Sequence, residues 1–103
     1  MEGLEAAAFQ IISNVGTAKS LIMEALFAAR AGNYQEAEEK LTESKQYMNE
    51  GHHAHMDLIQ QEASGEKLPF SLLLMHAEDQ MMSAETIRDL VSEMILMYKE
   101  MRS

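Results

Sequence analysis

Apolar residues recur every three or four positions along almost the whole chain, which is the spacing of one face of an α-helix. The first stretch with this spacing runs from Glu2 to Arg30, the second from Tyr34 to Ala63, and the third from Phe70 to Met101. Gly32 and Gly65 lie two residues after the ends of the first two stretches, and glycine is a common stop signal for helices. The pattern therefore predicts three long helices that are joined by short loops.

Short loops make neighbouring helices antiparallel, so the predicted fold is an all-α, up-down-up three-helix bundle. Residues 1–103 are expected to form a single domain, since no linker, low-complexity tract or short internal repeat interrupts the pattern. Pro69 can start the third helix. Asn33 is expected to cap the second, with Glu36 completing a capping box. Gly16 lies inside the first helix, where glycine costs about 1 kcal/mol, so we expect another backbone to come close to it.

Composition narrows the classes of function. Lys and Arg number 8 and Asp and Glu number 17, which gives a formal net charge of −9. Such an acidic surface argues against nucleic acids and anionic membranes as partners. No cysteine is present, so disulfides and thiol nucleophiles are excluded. We expect a cytoplasmic protein without direct membrane insertion, because the chain has neither a continuous apolar run of about 18 residues nor a charged-then-apolar leader.

The third predicted helix carries more apolar surface than a three-helix bundle needs to cover. At about 100° per residue its apolar side chains span an arc about 200° wide, well beyond the stripe of an ordinary surface helix. We expect the surplus to pack against further copies of the chain, which predicts a homo-oligomer. The ten methionines of the sequence suit such surfaces, because methionine is flexible and polarizable.

The segment 72–82, LLLMHAEDQMM, places His76 near the middle of this arc and Asp79 about 60° to one side. An unpaired carboxylate in apolar surroundings is costly unless it becomes neutral. Around a symmetry axis, one Asp79 from each subunit would form a ring that holds a proton or a hard cation such as Mg²⁺ or Ca²⁺. The alternatives are that His76 is a core histidine with a hydrogen bond and that Asp79 is simply exposed.

The other three histidines cluster in the second predicted helix. His52 and His55 share a helix face, and both lie near enough to the second loop for one of them to face His76 across the bundle. Glu50 and His53 have the E-x-x-H spacing of di-iron four-helix bundles. The sequence holds no second copy of that motif, so a di-metal bundle is the weaker interpretation. A solvated histidine cluster is the simpler one.

Three longer motifs extend across most of the sequence: GTAKSLIMEALFAARAG near the first predicted helix, EASGEKLPFS at the second loop, and MHAED in the third helix. With these motifs the chain resembles the IIA component of the lactose/cellobiose class of the bacterial phosphoenolpyruvate-dependent sugar phosphotransferase system. The resemblance implies a phosphocarrier. A histidine would accept a phosphoryl group from the histidine phosphocarrier protein and pass it to a cysteine of the IIB component, which phosphorylates an incoming disaccharide.

Residue by residue, the resemblance places the phosphorylated histidine at His76. It places a buried or metal-binding aspartate at Asp79, near the threefold axis of a homotrimer. Many family members have histidine where Gln80 stands and glutamine where His55 stands, whereas His52 matches a position that is commonly histidine. The resemblance thus suggests that Gln80, His52 and His55 support the phosphoryl group.

The resemblance also bears on ligands and substrates. It implies a possible divalent cation such as Mg²⁺ at the trimer axis and no organic cofactor. The sugar would be a β-linked disaccharide of the cellobiose, chitobiose or lactose type, and cellobiose-like sugars are favoured. The main alternative is a non-catalytic structural or adaptor protein of three helices, in which His76 is buried and silent.

Overall fold

The computed structural model describes residues 2–102, and the side chains of residues 3–102. It contains three helices: α1 (Glu2–Arg30), α2 (Tyr34–Ala63) and α3 (Leu72–Arg102). They run up, down and up in a bundle with extents of 54 × 19 × 19 Å. The part of the chain that the structure describes contains no strand, and the predicted three-helix architecture is confirmed.

The central element of the bundle is α1, which packs along most of its length against both α2 and α3, whereas α2 and α3 touch each other little. Its buried face consists of small and branched apolar residues. These are Leu4, Ala8, Ile11, Val15, Ala18, Leu21, Ile22, Ala25, Ala28 and Ala29. By length and composition α1 could also cross a membrane, but the same composition is typical of a helix that forms the core of a bundle.

The second residue of each interhelical loop is a glycine in the left-handed region, Gly32 at φ 90° and Gly65 at φ 104°. After α1, the N–H of Gly32 donates to the carbonyl of Ala29 at 2.9 Å, and the N–H of Asn33 donates to the carbonyl of Ala28 at 2.8 Å. This pair of bonds is the Schellman motif, and α2 ends in the same way around Gly65. The two predicted stops are therefore confirmed.

Within a single chain, two predictions about local structure are wrong: the capping box at Asn33 and the close backbone contact at Gly16. The side chain of Asn33 makes no capping hydrogen bond to the described residues, so the capping box with Glu36 does not form, and the Asn33 backbone closes α1 instead. A methyl group added at Gly16 would meet none of the described atoms within 4 Å. The tightly packed glycine is Gly51, where an added Cβ would lie 3.1 Å from Cγ2 of Val15.

The buried face in the second half of α2 does not include His52 and His55. Its buried residues are Gly51, Ala54 and Leu58, which continue the three-and-four spacing of the first half of the helix. Gly51 takes a core position although it has no side chain. As a result His52 and His55 lie at the edge of α2, beside the core and not inside it.

Arg102 joins the last turn of α3 to the C-terminal end of α1. Its guanidinium donates hydrogen bonds to the main-chain carbonyls of Ala29 and Arg30 and to the hydroxyl of Tyr34. It also lies over the rings of Tyr34 and Tyr98, 6.0 and 5.6 Å from their centroids. A cation at this position satisfies carbonyls that lack partners inside the helix and offsets the negative end of the α1 dipole.

Replacing Arg102 with alanine is expected to lower the free energy of unfolding by about 1–2 kcal/mol, because a dipole interaction and cation–π contacts are lost together. In a domain of this size each kcal/mol lowers the melting temperature by roughly 4–8 °C. Arg88→Ala is the matched control, since the Arg88–Asp89 ion pair is 3.5 Å long and joins sequence neighbours. Melting followed by circular dichroism at one protein concentration tests this, and equal melting temperatures for the two variants would contradict it.

Candidate functional site

The helix that carries His76 begins at Leu72, two residues later than the predicted start at Phe70, because Ser71 caps it. The hydroxyl oxygen of Ser71 accepts a hydrogen bond from the main-chain N–H of Leu74 at 3.1 Å. This is the bond that an N-cap residue makes to the third helical residue. His76 follows in the next turn, so its backbone is fixed by a regular, capped helix start.

The imidazole of His76 is exposed to solvent. Its neighbour Ala77 is fully buried, and His76 and Glu78 flank that buried position on opposite sides of α3. The interpretation of His76 as a core histidine is therefore wrong. An exposed imidazole is free to meet a second protein.

Gln80 lies one turn after His76, about 40° away around the helix axis. It lines a groove of about 520 Å³ between α3 and α1. Among the α1 residues on the wall of that groove are Gly16, Lys19 and Ser20. The groove thus places an amide and an ammonium group on the side of α3 that carries His76.

His52 and His55 lie on the other side of α3. Nε2 of His55 is 2.7 Å from Oε2 of Glu78, and Nε2 of His52 is 2.6 Å from Oε2 of Glu85. Glu78 and His76 project from α3 about 160° apart, so one chain does not bring these α2 histidines together with His76. Glu78 and Glu85 were not predicted as partners of the two histidines, although they face them across α2 and α3.

Asp79 is exposed on α3, about 60° around the helix from His76. Glu50 and His53 are also exposed, on α2. Among the described side chains, residues 3–102, no group of three or more histidine, aspartate or glutamate residues is arranged to hold a metal ion. One carboxylate supplies few of the six or more oxygens that Mg²⁺ or Ca²⁺ takes, so the other ligands of a cation at Asp79 would be waters or groups from further copies of the chain.

Exposed apolar side chains lie next to His76, on the side of α3 that carries Asp79 and just before the start of the helix. We call Phe70, Leu72, Met75 and Met82 the apolar rim. Phe70 is 81% exposed and Leu72 is 72% exposed, although burial of such side chains is normally favourable. Exposed apolar patches of this kind mark surfaces that contact other proteins.

The candidate site is thus a solvent-exposed histidine on a capped helix of a small three-helix protein, next to exposed apolar side chains. The family model for the lactose/cellobiose-specific IIA subunit of the phosphotransferase system matches residues 6–99. The chain belongs to this family, as its sequence motifs indicated.

Individual relatives agree with this assignment. The lichenan-specific phosphotransferase enzyme IIA component of Bacillus subtilis is 40% identical, over 96% of this chain and 90% of its own length. The lactose-specific EIIA component of Lactococcus lactis is 34% identical over 88% of this chain and 87% of its own.

Solved structures share the fold. The cellobiose-specific enzyme IIA from Bacillus anthracis superposes with a TM-score of 0.95 at 44% identity, covering 99% of this chain and 94% of that one. The IIA(chitobiose) chain of the Escherichia coli IIA(chitobiose)–HPr complex superposes with a TM-score of 0.83 at 30% identity, covering 97% of both chains.

Removing the cap of α3 is expected to loosen the turn that carries His76. In Ser71→Ala the amides of residues 74–76 should exchange with solvent roughly five- to tenfold faster, since losing such a cap costs about 1 kcal/mol. Ser71→Asp keeps an accepting oxygen and should exchange like the original chain. Hydrogen exchange followed by NMR measures both, and equal protection in Ser71→Ala would show that the hydroxyl has no capping role.

Proposed function

We propose that this protein is a phosphocarrier that accepts a phosphoryl group on His76 from the histidine phosphocarrier protein and passes it to the IIB component. The observation that carries the proposal is the exposure of His76 next to the apolar rim. The similarity to the IIA chain of the E. coli IIA(chitobiose)–HPr complex supports the first partner. Membership of the IIA family supports the second.

The chemistry requires a neutral imidazole nitrogen as nucleophile, and histidine supplies one near neutral pH. A bond forms between phosphorus and a nitrogen of His76 as the phosphorus–nitrogen bond of the donor phosphohistidine breaks. In the second transfer this new bond breaks as phosphorus bonds to the IIB cysteine. Because the transition state is loose and in-line, the protein mainly has to position the groups and stabilise charge.

Gln80 supports the phosphoryl group from the α1 side in this proposal. Its amide can donate a hydrogen bond to a phosphoryl oxygen, and Lys19, in the same groove, adds a positive charge. The apolar rim supplies the contact surface for two partners in turn, and its methionines can adapt to both. Such docking is expected to be transient and to bury about 1,200 Å² or less in total.

We also propose that the chain assembles as a homotrimer through the outer side of α3. Four large apolar residues remain exposed on one side of that helix in the single chain: Leu90, Met94, Met97 and Met101. Asp79 lies on the same side, about 40° or less from Leu90 and Met97 around the axis. Three copies of Asp79 would then meet near the threefold axis and hold a proton or a divalent cation such as Mg²⁺.

The sugar that we propose for the whole transport system is a β-linked disaccharide of the cellobiose type. The similarity to the lichenan-specific and cellobiose-specific proteins supports this choice. The sugar itself is handled by other components, so no residue of this chain is assigned to it. We place the protein in the cytoplasm, without an organic cofactor and without direct insertion into the membrane.

His76→Ala is expected to fold and to assemble normally but to accept no phosphoryl group, because the nucleophilic nitrogen is gone. The measurement is mass spectrometry after incubation with phosphoenolpyruvate, the first enzyme of the system and the histidine phosphocarrier protein. The original chain should gain the mass of one acid-labile phosphoryl group. His53→Ala, which changes an exposed α2 histidine, should be labelled like the original chain, and labelling of His76→Ala would refute the assignment.

Asp79→Leu is expected to keep the trimer, or to tighten it in the absence of metal, because packing replaces a ring of like charges. Substituting buried ionic groups by apolar ones is often neutral or stabilising by about 1–4 kcal/mol. Asp57→Leu changes an exposed aspartate of α2 and should leave assembly unchanged. Sedimentation velocity in a chelating buffer measures both variants, and a monomeric Asp79→Leu would contradict the proposed place of Asp79 in the assembly.

A further inference from the structure

Few large apolar side chains hold α3 at the end of the bundle that carries His76. There α3 enters the core through Ala77, Met81 and Ala84, of which the two alanines contribute one methyl group each. Leu73 and Leu74 are partly buried beside them. On the side that faces α2, a cavity of about 290 Å³ lies between α3, α2 and the loop that joins them. Within one chain, these apolar contacts therefore leave part of the rotation of α3 about its own axis to be fixed by polar contacts at this end.

The pair between His55 and Glu78 crosses from α2 to α3 at the wall of this cavity, which both side chains line. Their Nε2 and Oε2 atoms are 2.7 Å apart, and the His55 side chain is only 18% exposed. A hydrogen bond to a carboxylate is shorter and stronger than one between neutral groups. Since α2 and α3 otherwise touch little, this bond is a principal directional contact between them near His76.

The position of Glu78 on α3 couples this bond to His76. The two side chains project about 160° apart, so a rotation that moves Glu78 away from His55 turns His76 by the same angle. At a side-chain radius of about 6 Å, a rotation of about 10° displaces the imidazole by about 1 Å. A displacement of that size can slow a reaction that depends on positioning by roughly 100-fold.

We infer that His55, acting through Glu78, is a positioning residue that sets the rotation of α3 and so aims His76 at its phosphoryl donor. The inference rests on the proposed phosphocarrier function. The role of His55 is indirect. His55 contacts the side of α3 that faces α2, and within one chain it does not meet a phosphoryl group on His76. Phe70 and Met75 of the apolar rim line the same cavity, but no rim side chain takes part in the bond between His55 and Glu78. We therefore expect the loss of this bond to affect positioning more than docking of the donor protein.

Three variants test the inference. His55→Leu removes the hydrogen bond, and His55→Gln keeps an N–H that can donate to Glu78. His53→Leu makes the same change at an exposed position of α2. We expect His55→Leu to lower kcat for phosphoryl transfer to His76 about tenfold, with KM for the phosphocarrier protein changed less than about twofold. His55→Gln and His53→Leu should both stay within about twofold of the original kcat.

A second readout does not depend on the reaction. In His55→Leu the main-chain amides of residues 75–80 should exchange with solvent faster than in His55→Gln, both measured at a temperature where all variants are fully folded. If the original chain is not phosphorylated on His76, the proposed function fails. Amide exchange alone then tests whether His55 holds α3 in position. Unchanged exchange in His55→Leu, or an unchanged kcat in a chain that is phosphorylated on His76, would overturn the inference.

Discussion

The packing of two helices against one apolar face of α1 is the constraint on which the rest of the structure depends. The many alanines on that face let α2 and α3 approach closely, and both helices bury their small and apolar residues there. Since α2 and α3 share little direct contact, polar pairs join them. These pairs are His55 with Glu78, His52 with Glu85, and Lys99 with Glu38.

Because of this packing, the sides of α3 make different contacts. One side is buried against α1, a second forms the polar pairs with α2, and a third presents His76, Asp79 and the exposed methionines to solvent. The wide apolar arc that the sequence showed is thus partly core and partly free surface. The free part is the surface that the proposed function requires, because a carrier has to meet its donor and its acceptor in turn.

The helices and their ends could be predicted because the signals are local. Periodic apolar residues and the glycines at positions 32 and 65 are enough to define them. Finer features depended on contacts between helices. The position of Gly51 in the core could not be predicted, because glycine gives no apolar signal. The partnership of His55 with Glu78 could not be predicted from the pattern of a single helix, since it depends on the rotation of α3 relative to α2. A helical wheel gives the angles between residues of one helix, but not how that helix is rotated relative to its neighbours.

The central claim is that the phosphoryl group is carried by His76 and not by any of the three histidines of α2. Long-range ¹H–¹⁵N NMR of the imidazole rings, recorded on the original chain before and after enzymatic phosphorylation, tests it most directly because all four histidines are observed at once. The account predicts that the ring nitrogens of His76 alone show the large shift of a phosphorylated imidazole. Such a shift at His52, His53 or His55, with His76 unchanged, would contradict it.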